Sequence, residues 1–403
     1  MPSLTQGPLA GVRILDLTTV VLGPLATLTL AGLGAEIIKI ESPEGDNVRN
    51  AGVMKHPGMG HVFLHGNRGK QSVVLDLKQA AARDALLRLA KDADVLLSNI
   101  RPAAMKRLGL DYDALAEVNP RLIYVSACGF STHGPYADKP AYDDLIQGAV
   151  GIPWLMQQYG APEPCYTPIS LADRLTGLHV VYAVSAALFA RERTGQGQHV
   201  EVAMFESVAH FVLADHMAGR TFEPAESDAG YDRLLSPDRR PYKTADGYLC
   251  VLIYNDKHWR SFFKAIGQPE QFEQDTRFSS QQNRSRNIRA VYAWVGEIMG
   301  TRTTKEWQAL LDAADIPNQT VNSMDSLLDD PHLRATGFIS EENHPTEGQI
   351  RTLGNPTTWS MTPAQTPSSA PRLGEHSAAV LRRAGYTEAQ LQLMLDTGAT
   401  RVG

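Results

Sequence analysis

The chain has 403 residues, 43% of them hydrophobic and 20% charged, a balance that leaves room for two folded domains and excludes disorder over most of the length. A net charge of −6 and a pI near 6.1 argue against nucleic acid as a partner and leave room only for a local basic pocket. The three cysteines, Cys128, Cys165 and Cys250, are widely spaced and odd in number. They make neither a zinc signature nor a disulfide framework, which suits a reducing, cytoplasmic setting.

Residues 12–17 read as a strand, 24–33 as a short helix opened by Pro24 and stopped by Gly34, and 37–41 as a second strand. The uncharged stretch 18–35 approaches membrane-span length, but four threonines, three glycines and Pro24 interrupt it. The start of the chain shows no basic leader region and no clear cleavage site, so no membrane association is expected. Strand 72–77, helix 80–91, strand 95–97, helix 103–108 and strand 122–125 continue the alternation. That pattern predicts a parallel sheet wrapped by helices, with ligands at the carboxyl ends of the strands.

Apolar residues from Leu175 to Phe189 recur at helical spacing, and Arg191-Glu192-Arg193-Thr194-Gly195 closes that helix. Residues 219–240 are polar, as a linker would be. A smaller segment, 241–330, opens on an Asp246-Gly247 turn, a strand at 248–253 and helices at 257–266, 287–299 and 304–314. The chain returns through a Pro/Thr/Ser-rich stretch, 344–371, to helices at 377–384 and 388–396. The expected division is a large domain over 1–218, the linker 219–240, the small domain, and a linker and return over 331–403.

Several residues carry chemistry. Asp173 precedes the helical pattern. A carboxylate at the head of a largely buried helix is expected to be held ionised by the dipole and the free first-turn N–H groups, and such a carboxylate can attack an activated carbonyl. An ordinary Asp N-cap is the plainer local reading. Glu41 ends the second strand where a ribose-binding acid would sit, but the glycine fingerprint of dinucleotide sites is missing. His61 and His65 are two ligands without a third, so no metal is assigned. Asn99-Ile100-Arg101, directly after a strand, with Arg107 further along, has the parts to hold phosphates. A glycine- and proline-rich loop from Gly129 leads to Tyr142-Asp143 and suits a pocket wall.

In order, these segments resemble the family III CoA-transferases, the group containing formyl-CoA transferase, carnitine CoA-transferase and 2-methylacyl-CoA racemase. The likeness runs from Pro8–Asp16 and Leu33–Glu41 through Asn67-Arg68-Gly69-Lys70, Asn99–Gly109, Gly134–Asp143 and Asp173–Gly177. It continues through Arg193–Gln198, Tyr242–Gly247 and Ile316-Pro317 to Leu373–His376. The resemblance implies that Asp173 is the nucleophile. It implies that Thr19, Val20, Val21, Leu22, Leu75 to Lys78, Asn99, Ile100, Arg101, Arg107, Tyr142 and Asp143 lie on segments that contact coenzyme A.

It also implies an α/β fold: a Rossmann-like large domain built from both chain ends, a smaller α+β domain, and two chains interlocked as a homodimer. The substrates would be an acyl-CoA and a carboxylic acid, with no tightly bound cofactor. Tyr142 stands where the racemase branch has a histidine. A racemase needs two bases, and tyrosine, with a pKa of about 10, is a poor one at neutral pH. The glycine-rich loop of the formyl-CoA transferase branch has no counterpart in 219–260. An acyl-CoA:carboxylate CoA-transferase is therefore the expectation, with a racemase or a non-catalytic CoA-binding protein as alternatives.

Overall fold

A computed structural model describes residues 7–403; the first six, part of the stretch read for a leader, lie outside it. The chain forms two compact units. One comprises the chain through Val150 with Thr167–Phe211 and Pro331–Gly403, and the other Gly151–Tyr166 with Val212–Asp330.

In the first unit β1 (Arg13–Leu17) leads to α1 (Leu22–Gly32) and β2 (Glu36–Glu41). Then come α2 (His61–Gly66), β3 (Lys70–Val74), α3 (Ala80–Lys91), β4 (Val95–Ser98), α4 (Pro102–Arg107), α5 (Tyr112–Val118) and β5 (Ile123–Cys128). Helix α6 (Asp143–Ala149) comes next. Helix α7 (Ile152–Tyr159) belongs to the second unit, and α8 (Leu171–Thr194) and β6 (His199–Ala203) to the first. The sheet runs β3-β2-β1-β4-β5-β6, and every pairing is parallel. Strands such as Ile14-Leu15 and Val95-Leu96-Leu97 are closed from water on both faces, as parallel strands between helices must be. On one face Leu15, Ile38 and Leu96 share a core with Leu86 of α3 and with Val380, Leu381, Leu391 and Met394 from the end of the chain. Both chain ends therefore build this unit.

Three expectations shift. β3 begins at Lys70, two residues before the expected strand, because Asp16 of β1 draws the Lys70 ammonium into the interior at 3.2 Å. A buried lysine opening a strand gives no apolar signal. The helix expected from Leu175 starts at Leu171. It is also not largely buried: Leu178, Tyr182 and Phe189 are 56%, 61% and 66% exposed.

In the second unit, β7 (Tyr242–Lys243), β8 (Tyr248–Val251) and β9 (Asn318–Thr320) form an antiparallel sheet. It packs with an aromatic core of Trp259, Phe262, Phe263, Phe278 and Trp307. The polar stretch 219–240 lies inside this unit, where the Tyr159 hydroxyl of α7 donates to the Arg239 carbonyl at 2.5 Å. Among the described residues, no helix is long and apolar enough to cross a membrane.

Candidate active site

The strand order reverses between β1 and β4, and open parallel sheets take their ligands beyond the carboxyl ends of the strands at such a point. Asn99, after β4, fastens the loops after these two strands together: its amide donates to the Thr19 carbonyl at 2.9 Å and accepts the Thr19 N–H at 3.1 Å. The next residue, Val20, stands at φ +72°. A β-branched residue enters the left-handed region at a cost of about 1–3 kcal/mol, so its surroundings must hold it there. Its N–H donates to Asp46 at 3.1 Å. Asp16 accepts the Thr18 N–H at 2.9 Å and the Thr18 hydroxyl at 2.5 Å. Lys39 donates to the Thr18 carbonyl at 2.7 Å and to Asp46 at 3.0 Å.

These side chains are almost wholly enclosed: Asp16 and Lys39 are 0% exposed, Asp46 1% and Lys70 2%. Glu41 completes the group, gripped by the Arg49 guanidinium through two 2.7 Å bonds. Asp16, Asp46 and Glu41 thus balance Lys39, Lys70 and Arg49, which is the condition for burying charge at all. Burial opposes the charged form of Asp16, but Lys70 and Lys39 carry its carboxyl down to about 2. Burial also opposes the charge on Lys39, yet Asp16, Asp46 and Glu41 leave it raised. For Lys70 burial prevails over Asp16 and brings the ammonium down to about 8.

Asp173 is the third residue of α8, inside the helix rather than ahead of it. Gly195, at φ +74°, ends that helix. The Asp173 N–H donates to Asp143 at 2.9 Å. Asp143 opens α6, and its other carboxylate oxygen accepts from the Gln147 amide at 2.6 Å. Gln147 is 0% exposed and is itself fixed by the Thr167 N–H and hydroxyl, both at 3.0 Å. Among the described residues no hydrogen bond or ion pair reaches the Asp173 carboxylate. Burial and the neighbouring Asp143 raise it to about 6, against the pull of Arg174. Burial and the facing acid thus outweigh the pull of the helix head, yet the carboxylate stays mostly ionised at neutral pH.

Gly177 lies one turn after Asp173 on the same face. A Cβ there would stand 2.8 Å from the Leu22 carbonyl, so the glycine lets α8 rest on the head of α1.

The remaining candidates divide. Leu22 and Leu75 are buried, and the Leu75 N–H is taken by the Glu41 carbonyl at 2.9 Å. Ile100 is half-buried, with its N–H on Ser98 at 3.1 Å. Lys78, Arg101 and Arg107 are exposed beyond the carboxyl ends of β3 and β4, and among the described residues their side chains have no ion-pair partner. Tyr142 is 66% exposed. The described residues hold no group of three or more His, Cys, Asp or Glu that could take a metal ion. Sequence reasoning missed Asp46 and Gln147. Gln147 could have been found from its spacing of four after Asp143 on one helix face. Asp46 carried no comparable signal.

The chain matches the model of CoA-transferase family III over residues 9–377. It is 33% identical to the acetyl-CoA:oxalate CoA-transferase of Acetobacter aceti, over 96% of this chain and 99% of the relative. It is 34% identical to the succinate–glutarate CoA-transferase of Agrobacterium fabrum, over 93% of this chain and 95% of the relative. A crystal structure of Rv3272 from M. tuberculosis superposes with a TM-score of 0.81 at 32% identity, covering 93% of this chain and 99% of that one. The chain belongs to CoA-transferase family III. It is a CoA-transferase, from a family whose members act on CoA thioesters and carboxylates.

Proposed function

We propose that the enzyme moves coenzyme A from an acyl-CoA donor to a free carboxylic acid through a thioester on Asp173. The observation that carries this reading is the Asp173 carboxylate itself: partly buried, without a hydrogen-bond or ion-pair partner among the described residues, and one turn before the glycine that meets the head of α1. A carboxylate so placed is a nucleophile that folding has left unused.

In the mechanism implied by the family, an Asp173 oxygen attacks the donor thioester carbonyl and expels CoA thiolate, leaving a mixed anhydride. The thiolate attacks the aspartyl carbonyl, releases the donor's carboxylate and leaves aspartyl-CoA. The acceptor carboxylate attacks that thioester and expels the thiolate again. Thiolate attack on the acceptor's acyl carbon then gives the new acyl-CoA and restores Asp173. Thr19 to Leu22, Asn99 to Arg101 and Leu75 to Lys78 would line the coenzyme's path, with Arg107 on a phosphate. Tyr142, in place of a histidine, favours transfer over α-proton exchange.

The exposed Leu178, Tyr182 and Phe189, with Leu145 and Ile169 at 52% and 60% exposure, support a homodimer that covers them. Sedimentation should give about twice the 44.0 kDa chain mass.

Hydroxylamine tests the central step, because it cleaves thioesters and anhydrides. Enzyme incubated with an acyl-CoA should be inactivated by it, and peptide mapping should place the hydroxamate on Asp173. An adduct on another residue would remove Asp173 from the role.

A further inference from the structure

We propose that Asp46 is a positioning residue for acyl-CoA binding: its buried carboxylate holds the Val20 N–H, and with it the left-handed turn that presents Thr19 to Leu22 to the coenzyme. This rests on the reading that those residues line the CoA site.

Three observations converge on Asp46. Val20 has an unfavourable backbone conformation, φ +72°, at the reversal of strand order. A glycine could adopt it freely, yet a β-branched residue stands there, packed with Val48 and Phe63. The conformation must therefore be imposed, and the Val20 N–H has one acceptor, Asp46, at 3.1 Å. Asp46 is in turn immobilised. One of its oxygens also takes the Val48 N–H at 3.2 Å, and the other takes the Lys39 ammonium at 3.0 Å. Lys39 reaches back to the Thr18 carbonyl at 2.7 Å. The loop is thus held from both of its main-chain sides by one buried ion pair. Asn99 fixes Thr19 independently, so Asp46 governs Val20 and the residues after it, where α1 begins.

A mutant cycle separates positioning from plain structural support. Asp46→Asn keeps the volume and weakens the hold on Val20, while Asp46→Leu with Lys39→Met removes the whole pair without stranding a charge. The readouts are the CoA dissociation constant by calorimetry and KM against kcat, with circular dichroism confirming the fold. Asp46→Asn should weaken CoA binding about tenfold and raise KM, with kcat changed less than about threefold. In a Val20→Gly background the same substitution should weaken binding less than about threefold, because glycine takes the left-handed turn unaided. Equal losses in the two backgrounds would overturn the proposal, as would unchanged affinity in Asp46→Asn. The paired variant should show the same pattern, and its binding CoA normally while folded would likewise overturn it.

Val21→Trp guards the underlying reading. If the loop lines the site, the indole blocks CoA; if CoA still binds normally, the loop assignment fails. Blocked binding together with an uncoupled cycle rejects only the role of Asp46.

Discussion

The loop after β1 and the head of α8, both in the first unit, treat charge in opposite ways. Around Thr18 to Val20, three carboxylates and three cations are enclosed, each with a partner, and the main chain is fixed at successive residues. At α8, one carboxylate faces another of the same sign, and only the second is tied down, through Gln147 and Thr167. A group whose interactions are all satisfied positions things, while a group left unsatisfied is available to react. On the proposed function these two regions of one fold divide binding from chemistry, with the enclosed charges holding the binding side rigid.

Removing one carboxylate from each region should give opposite results. Asp173→Asn should lower transfer by roughly 10⁴-fold or more, as expected on losing a nucleophile, while CoA still binds. Because the folded protein disfavours the charge on Asp173, the same variant should be as stable as the parent at pH 8, or more stable by about 1 kcal/mol. Transfer at the parent rate would end the role of Asp173 and with it the contrast. Asp16→Asn should destabilise instead, by about 3–5 kcal/mol in urea denaturation, because Lys70 and Lys39 would lose a buried counter-charge. A shift below about 1 kcal/mol would mean that the enclosed network carries little of the fold.

A third substitution asks whether the exposed cations extend the binding side. Arg107, in the last turn of α4, is exposed and has no ion-pair partner among the described residues. Losing one charge-assisted bond to a phosphate costs about 1.5–3 kcal/mol, so Arg107→Ala should weaken CoA about ten- to hundredfold in calorimetry. Unchanged affinity would move the phosphate to another cation, with Lys78 and Arg101 next to test.

Much of this contrast was legible in the sequence, unevenly. Alternating strands and helices in the first 125 residues gave the parallel sheet, because apolar runs closed on both faces leave a strong pattern. Asp173 stood out by its place before a helix and by family likeness. Its position inside the helix did not, since Leu171-Ala172 reads as easily as the end of an apolar run, and Ser170 makes no side-chain cap. Strand β6, His-Val-Glu-Val-Ala, leaves only a weak apolar signal, because it lies at the edge of the sheet and alternates polar with apolar residues. Asp16 and Lys39 stand on either side of the uncharged stretch 18–35, with no local sign of a pairing. Only the three-dimensional pairing shows them at the centre of the unit, because local pattern does not encode which distant charge will meet which.

The smallest expected effect concerns Asp143, and it tests whether its charge, rather than only its hydrogen bond, shapes the reactive side. Burial, and then Asp143, raise the Asp173 carboxyl to about 6, while transfer needs the ionised form. In the parent enzyme kcat/KM should therefore fall about tenfold per pH unit below about pH 6 and level off above it. The same shift has a stability consequence of fixed sign. A carboxyl whose folded pKa is raised favours the fold while protonated, so that contribution is complete below about pH 4 and is lost as pH rises through about 6. Asp143→Asn keeps an oxygen to accept the Asp173 N–H and removes the like charge. The midpoint of the rate profile should then move toward lower pH, and the loss of stability between about pH 4 and 6 should shrink with it. A profile that stays in place, in a variant that still folds and binds CoA, would assign the raised pKa to burial alone and leave Asp143 as a hydrogen-bond acceptor only.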